Sequence, residues 1–215
     1  MIHNLGQQNS IFNQFILELR DINIQKDSLR FRRNIERIGE IMAYEISKHL
    51  TYKSTEVTTP LGIANINTIT EQPVLASILR AGLPLHIGIL NYFDSAPNAF
   101  ISAYRKHHKD GTFDIQIEYL ASPDLTGKDL IICDPMLATG QSMVLTYQAL
   151  LKRGTPRHAH IVSVIASNEG VDYAKKHLPT NTTIWVGAID QELTAQSYIV
   201  PGLGDAGDLA YGQKI

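Results

Sequence analysis

Apolar residues recur along this chain with two periods, and the switching between them marks out its elements. Ile35, Ile38, Ile41 or Met42, Ile46 and Leu50 stand three or four positions apart, the stripe of a helix buried on one side. Asp27 or Ser28 precedes that stripe as an N-cap. A shorter helix is expected around Ile11 to Leu19, inside a segment, 1–26, that otherwise has no clean period. Thr55 to Thr59 and Ile63 to Ile69 alternate and are rich in β-branched residues, with the turn Pro60-Leu61-Gly62 between them, so they read as a hairpin. Pro73 to Leu79, Asp129 to Cys133 and Ala159 to Ala166 are short continuous apolar runs, the pattern of strands covered on both faces. Asn98 to Tyr104, Ile115 to Ala121 and Thr182 to Val186 complete the strands. Helices are expected at Leu83 to Leu90, at Gln141 to Arg153 with Gly154 as its stop, and from a capping Asn168 through Leu178, with Pro179 beyond. Strands that alternate with helices make an α/β domain around a mostly parallel sheet.

Composition narrows the function classes. The length of 215 residues suits one α/β domain with a full core. A net charge of −2 gives no general attraction to nucleic acid or to anionic membranes. A single cysteine, Cys133, leaves no internal disulfide and no Cys-rich zinc site, which fits a reducing compartment. Met1 to Leu5 lacks the basic region and apolar core of a signal peptide, and no stretch approaches the ~18 apolar residues of a membrane helix. The expected setting is cytoplasmic. Arg30, Arg32, Arg33 and Arg37 make the start of the long helix basic, as a solvated face or as an effector or subunit contact. Lys106 to Thr112 is polar and basic without an apolar period, so it reads as a loop. His107 and His108 have no third partner in sequence that would suggest a metal.

The chemistry centres on Asp129 to Met143. An apolar strand ends in an acid, Asp134; a loop of small residues follows, and then a helix begins. Backbone N–H groups of Ala138 to Ser142 can face an anion there, and the helix dipole favours negative charge. Thr139 and Ser142 add hydroxyl donors, although Thr139 could equally serve as a plain helix cap. Pro73 to Leu79 ends in Arg80-Ala81-Gly82 before its own helix, a second strand–loop–helix unit with a cation at the strand tip. Near the end, Gly202, Gly204 and Gly207 form a G-x-G-x-x-G. A dinucleotide site would need that motif after the first strand, followed by a helix and an acid ~20 residues on. Here it suits a loop whose backbone lies against a small flat ligand.

Asp134-Pro135-Met136-Leu137-Ala138-Thr139-Gly140 closely resembles the phosphoribosyl pyrophosphate (PRPP) signature of the uracil phosphoribosyltransferases. Tyr198 to Asp208, with Pro201-Gly202-Leu203-Gly204-Asp205-Ala206-Gly207-Asp208, is similar to that family's second signature. Arg80-Ala81-Gly82-Leu83 and Tyr104-Arg105 match in the same order. The resemblance implies a type I phosphoribosyltransferase fold in one domain, 1–215. A mostly parallel central sheet with flanking helices would occupy about 70–188, with a small hood or arm from 1–69 and 189–215. It implies transfer of the phosphoribosyl group from PRPP to uracil, giving UMP and diphosphate, with magnesium carried mainly by PRPP and no metal site of the protein's own. In that scheme Asp134, Arg105 and Asp205 are catalytic. Arg80, Arg105, Asp134, Pro135, Met136, Leu137, Ala138, Thr139, Gly140, Gln141, Ser142 and Asp205 bind PRPP. Ile199, Gly204, Asp205 and Ala206 bind uracil, with Asp205 beside the sugar and metal. A homodimer or larger homo-oligomer and a GTP effector belong to the same implication, with no nucleic acid and no membrane partner.

Three features depart from the family pattern. Lys106-His107-His108-Lys109 stands where uracil enzymes usually have Asn-Glu-Glu-Thr, the basic residue after Asp208 is lost at Leu209-Ala210, and Gln141 replaces a second glycine. A side chain at position 141 suits a helix start but would crowd a phosphate if its φ were positive. The alternatives are a regulator of this fold binding UMP and RNA, a transferase for another base, and a non-catalytic subunit.

Overall fold

The computed structural model describes residues 1–107 and 113–213, with side chains described outside 103–116. In chain order the elements are β1 (Ile2–Asn4), α1 (Ile11–Arg20), α2 (Ser28–Ser47), β2 (Tyr52–Thr59), β3 (Gly62–Ile69), β4 (Val74–Leu79), α3 (Gly82–Leu90), β5 (Asn98–His107) and β6 (Phe113–Ala121). Then follow β7 (Asp129–Cys133), β8 (Met136–Leu137), α4 (Gln141–Leu150), β9 (His158–Ser167), α5 (Asn168–His177), β10 (Thr182–Asp190), β11 (Glu192–Leu193), β12 (Ile199–Val200) and α6 (Ala206–Tyr211).

The central sheet runs β1-β10-β9-β7-β4-β5-β6, with β8 also paired to β9. Every pairing in it is parallel except β5 with β6. Its continuous apolar strands are covered on both sides. Leu75, Ile131, Val162 and Trp185 face a cluster shared with α1, α2, α3 and α6. Their neighbours Val74, Ala76, Leu130, Ile132 and Ile161 face Met143, Val144, Tyr147, Val171 and Ala174 of α4 and α5. The sheet is thus the middle of three layers, as an α/β sequence pattern requires.

Several expectations are corrected. Ile2 to Asn4 form an edge strand beside β10, within a segment that shows no period. Ser167, not Asn168, caps α5: its side chain accepts from Gly170 N. The helix opening at Gln141 ends at Leu150 and tightens into a 3-10 turn over Leu151–Arg153. Lys106 and His107, expected to open a loop, extend β5 opposite Asp114 and Phe113. His108, Lys109 and the rest of that expected loop lie outside the described residues.

The basic start of α2 is exposed at Arg30 and Arg33, and its arginines also bond to neighbouring groups. Arg30 grips Glu18 of α1 through two hydrogen bonds at 2.9 and 2.7 Å. Arg32 donates to Ala210 O of α6 at 2.6 Å, Arg33 pairs with Glu36, and Arg37 reaches Asn34. Arg30 first, and then Asn34, hold the Glu18 carboxyl down to about 2. Arg30 fastens α1 to α2 and Arg32 fastens α6 to it, while the contacts of Arg33 and Arg37 stay within α2.

Candidate active site

β4 and β7 lie side by side, yet the chain leaves them in opposite directions, β4 towards β5 and β7 towards β9. Loops that diverge in this way open a crevice at the carboxyl ends of the strands. Arg80-Ala81 follows β4 and Asp134 to Gly140 follows β7, so the two candidate loops of the sequence flank this crevice. They meet backbone to backbone. A Cβ added at Gly82 would lie 2.5 Å from Cys133 O, so only glycine allows the approach.

The loop after β7 is latched to β9 along its length. Asp134 N donates to Val162 O, and Pro135 O accepts from both Val164 N and Ile165 N. The Ser163 hydroxyl donates to Asp134 O at 2.5 Å, and the Ser167 hydroxyl donates to Ala138 O at 2.5 Å. One carboxylate oxygen of Asp134 accepts from Met136 N at 3.3 Å, which fixes the acid at the strand tip. Burial, and then the charge of Asp134, push the neighbouring Cys133 thiol well above its ordinary range, so it stays protonated.

The turn into α4 falls on glycine. Gly140 has φ +76°, and Gln141 is the first helical residue. Among the described residues the one non-glycine with positive φ is Ser197, so Gln141 bears no such strain. The Thr139 hydroxyl is 3.5 Å from Gln141 N, the outer limit of a hydrogen bond, and no side chain caps α4. The first-turn N–H groups of a helix have no acceptor within it, and they carry its positive dipole end. A small cleft of about 30 Å³ opens there, lined by Asp134, Met136, Thr139, Gly140 and Ser142 among others. Behind it, a Cβ on Gly170 would lie 2.3 Å from Ala138 O, so α5 presses directly on the loop.

The C-terminal signature approaches the same edge. β12 leads through a cis Val200–Pro201 bond to Gly202 (φ +57°) and Gly204 (φ +92°). A Cβ at Gly202 would lie 2.1 Å from Ile199 O. The segment then becomes helix α6. Asp205 is its N-cap, accepting from Asp208 N at 2.9 Å. Ile199, Leu203 and Ala206 are buried in the cluster against which Ala81, Met136 and Ala138 pack. Arg80 joins the loops directly: its Nη2 donates to Gly212 O at 3.1 Å and lies 3.4 Å from Asp208 Oδ1. Arg80 Nε is buried with no acceptor among the described residues.

Arg80, the Asp134 to Ser142 loop, Ile199, Gly204, Asp205 and Ala206 therefore converge on one edge of the molecule. Arg105 lies in β5 opposite Ile115, and its side chain is outside the described residues. Arg20, Ser167 and Asp190 also belong to this region, and no motif or period marks them in the sequence. Ser167 was hidden as the last residue of a strand, and Arg20 belongs to a segment without a period. A larger cavity, about 590 Å³, adjoins this region between α1 and the end of β10, lined by Asn13, Ile16, Arg20 and Ile189 among others. No residue of the two signatures lines it.

Residues 7–213 match the family model described as uracil phosphoribosyltransferase. Over 215 residues the chain is 61% identical to the uracil phosphoribosyltransferase of Porphyromonas gingivalis, covering 100% of this chain and 99% of that protein. The solved structure of a protein from Aquifex aeolicus superposes with a TM-score of 0.88 at 29% identity, covering all of both chains. The adenine phosphoribosyl transferase of Trypanosoma brucei has a TM-score of 0.56 at 12% identity over 87% of this chain and 83% of its own, a likeness of fold alone.

Proposed function

The chain belongs to the uracil phosphoribosyltransferase family, and from that membership we propose how its own residues carry the family's reaction, transfer of the 5-phosphoribosyl group from PRPP to uracil to give UMP and diphosphate. The observation that supports the assignment is Arg80, after β4, reaching Asp208 of the C-terminal signature, while Gly82 packs against Cys133 at the end of β7.

The 5′-phosphate belongs at the start of α4, where the N–H groups of Ala138 to Ser142 and the hydroxyls of Thr139 and Ser142 supply donors. Asp134 accepts from the ribose hydroxyls. Arg80 and Arg105 face the pyrophosphate, and the buried Nε–H of Arg80 supports this for Arg80, because a buried donor calls for an acceptor. Displacement at C1 passes through a cation-like sugar, so the protein's contribution is positioning and charge. Uracil lies edge-on to the backbone of Ile199, Gly204 and Ala206. Cytosine, with an amine in place of the O4 acceptor and a bare N3 in place of the N–H donor, leaves buried groups unpaired and is rejected for that reason.

Magnesium fits this site as an ion carried by the substrate. The carboxylates on these loops are Asp134, Asp205 and Asp208, and among the described residues no group of three or more His, Cys, Asp or Glu could hold a metal. Bound with PRPP, it would neutralise charge on the departing diphosphate. Asp205, held by its bond to Asp208 N, would be the residue to face such an ion. A homodimer or larger assembly, activation by GTP and a cytoplasmic setting are parts of the same proposal and rest on family membership.

The test is diphosphate release from PRPP, base by base, with Asp134→Asn and Ala206→Leu. Uracil alone should support release. Asp134→Asn should lower kcat/KM about a hundredfold. Ala206→Leu should abolish uracil use and spare PRPP binding. Unchanged turnover in Asp134→Asn, or equal loss of both substrates in Ala206→Leu, removes the roles given to those residues.

A further inference from the structure

Arg20, near the start of the chain, and Asp190, at the end of β10, meet 170 residues apart in sequence. Both terminal guanidinium nitrogens of Arg20, Nη1 and Nη2, donate to the carboxylate, at 2.8 Å each. The pair then closes on one glycine from both sides. Asp190 Oδ2 accepts from Gly202 N at 2.9 Å, and Arg20 Nη1 donates to Gly202 O at 3.0 Å. The Asp190 side chain is 8% exposed and that of Arg20 24%, so water competes little for these bonds. Gln25 holds the main chain beneath, donating to Leu19 O and Arg20 O.

Gly202 needs such a hold. It has a left-handed φ and packs on Ile199 O, so it sets the path from β12 to α6. We propose that Arg20 and Asp190 are positioning residues for uracil: by clasping both sides of Gly202 they fix the base-contacting backbone at Ile199, Gly204 and Ala206. This rests on the reading of that segment as the base loop. Neither side chain has to touch the substrate. Their effect passes through backbone geometry, where an error of about 1 Å costs up to a hundredfold in rate. A bidentate guanidinium–carboxylate pair gives that geometry a definite orientation, which a lysine cannot reproduce.

The experiment compares Arg20→Ala and Arg20→Lys with the unaltered enzyme, measuring KM for uracil, KM for PRPP, kcat and Tm, with Ala206→Leu alongside. A clasp predicts that Arg20→Ala raises KM for uracil about tenfold or more while KM for PRPP stays within about twofold, with partial rescue in Arg20→Lys. Should Arg20→Ala not fold, Arg20→Lys carries the test with the same split at smaller size. A merely structural pair would lower Tm and the active fraction and leave both KM values alone, and that result overturns the proposal, as does an equal rise in both. If Ala206→Leu spares uracil, the base-loop reading fails and the clasp with it. If Ala206→Leu abolishes uracil use and the Arg20 variants leave KM for uracil unchanged, the clasp alone fails.

Discussion

Ser167 and Asp190 are register partners, the last residues of β9 and β10, and each holds one of the two signature loops. Ser167 donates to Ala138 O in the phosphate loop, and Asp190 accepts from Gly202 N in the C-terminal loop. Two adjacent strand ends thereby set the spacing between the two loops proposed to hold the sugar phosphate and the base.

Ser167→Ala removes two bonds at once, the cap on α5 and the tie to Ala138. Loss of a cap together with a buried hydrogen bond costs about 1–3 kcal/mol. Thermal unfolding should show that loss, and KM for PRPP should rise more than KM for uracil, because the freed carbonyl belongs to the phosphate loop.

Gly170→Ala places a methyl group 2.3 Å from Ala138 O and 2.4 Å from Leu137 O, both backbone atoms that cannot swing away. Overpacking of this kind costs about 1–3 kcal/mol. The expected result is a lower Tm with weakened PRPP binding, measured by titration of the folded variant. A variant with unaltered affinity would show that the loop tolerates displacement.

Gln141→Gly, which restores the family's usual residue, should change PRPP affinity by less than about threefold, because the positive φ already falls on Gly140. The substitution should lower stability by about 0.5–1 kcal/mol through the helix start. Isothermal titration and chemical unfolding would check the two halves of this expectation.

Trp185 sits among histidines: it stacks on His3 at 4.1 Å and donates to His160 Nδ1 at 3.1 Å. Burial first, then the nearby His158, His49 and His3, push His160 down to about 3 from an ordinary 6.5. The unfolded chain therefore takes up a proton below about pH 6.5 that the native protein refuses until about pH 3, and stability falls as pH drops through that window. Glu18, held at about 2 against an ordinary 4.5, adds a loss in the same direction from about pH 4.5 downward. His160→Asn should flatten the slope of stability between pH 6.5 and 4.5, where the Glu18 contribution is still intact. Urea unfolding at stepped pH is the measurement; an unchanged slope would mean that other histidines dominate.

Much of the architecture was legible in the chain. The apolar run from Asp129 to Cys133, its acidic tip and the helix beginning at Gln141 were all marked by local chemistry, and so was the hairpin around Pro60-Leu61-Gly62. These features depend on neighbours within a few residues, which is where periodicity and turn chemistry act. Tertiary structure alone decided the rest. A three-residue strand such as Ile2–Asn4 is too short to show a period, and its place beside β10 depends on the edge that β10 offers. Asp205 reads as a ligand in sequence and proves also to be a helix cap, because α6 forms only once Ala206 and Ala210 are buried against the rest of the core. The arginines of α2 look like a charged face, yet Arg30 and Arg32 are committed to Glu18 and Ala210. Periodicity tells which side of an element will be covered and says nothing of what covers it. Bonds such as Arg20 to Asp190 are settled by the strand order that brings distant ends of the chain to one edge of the sheet.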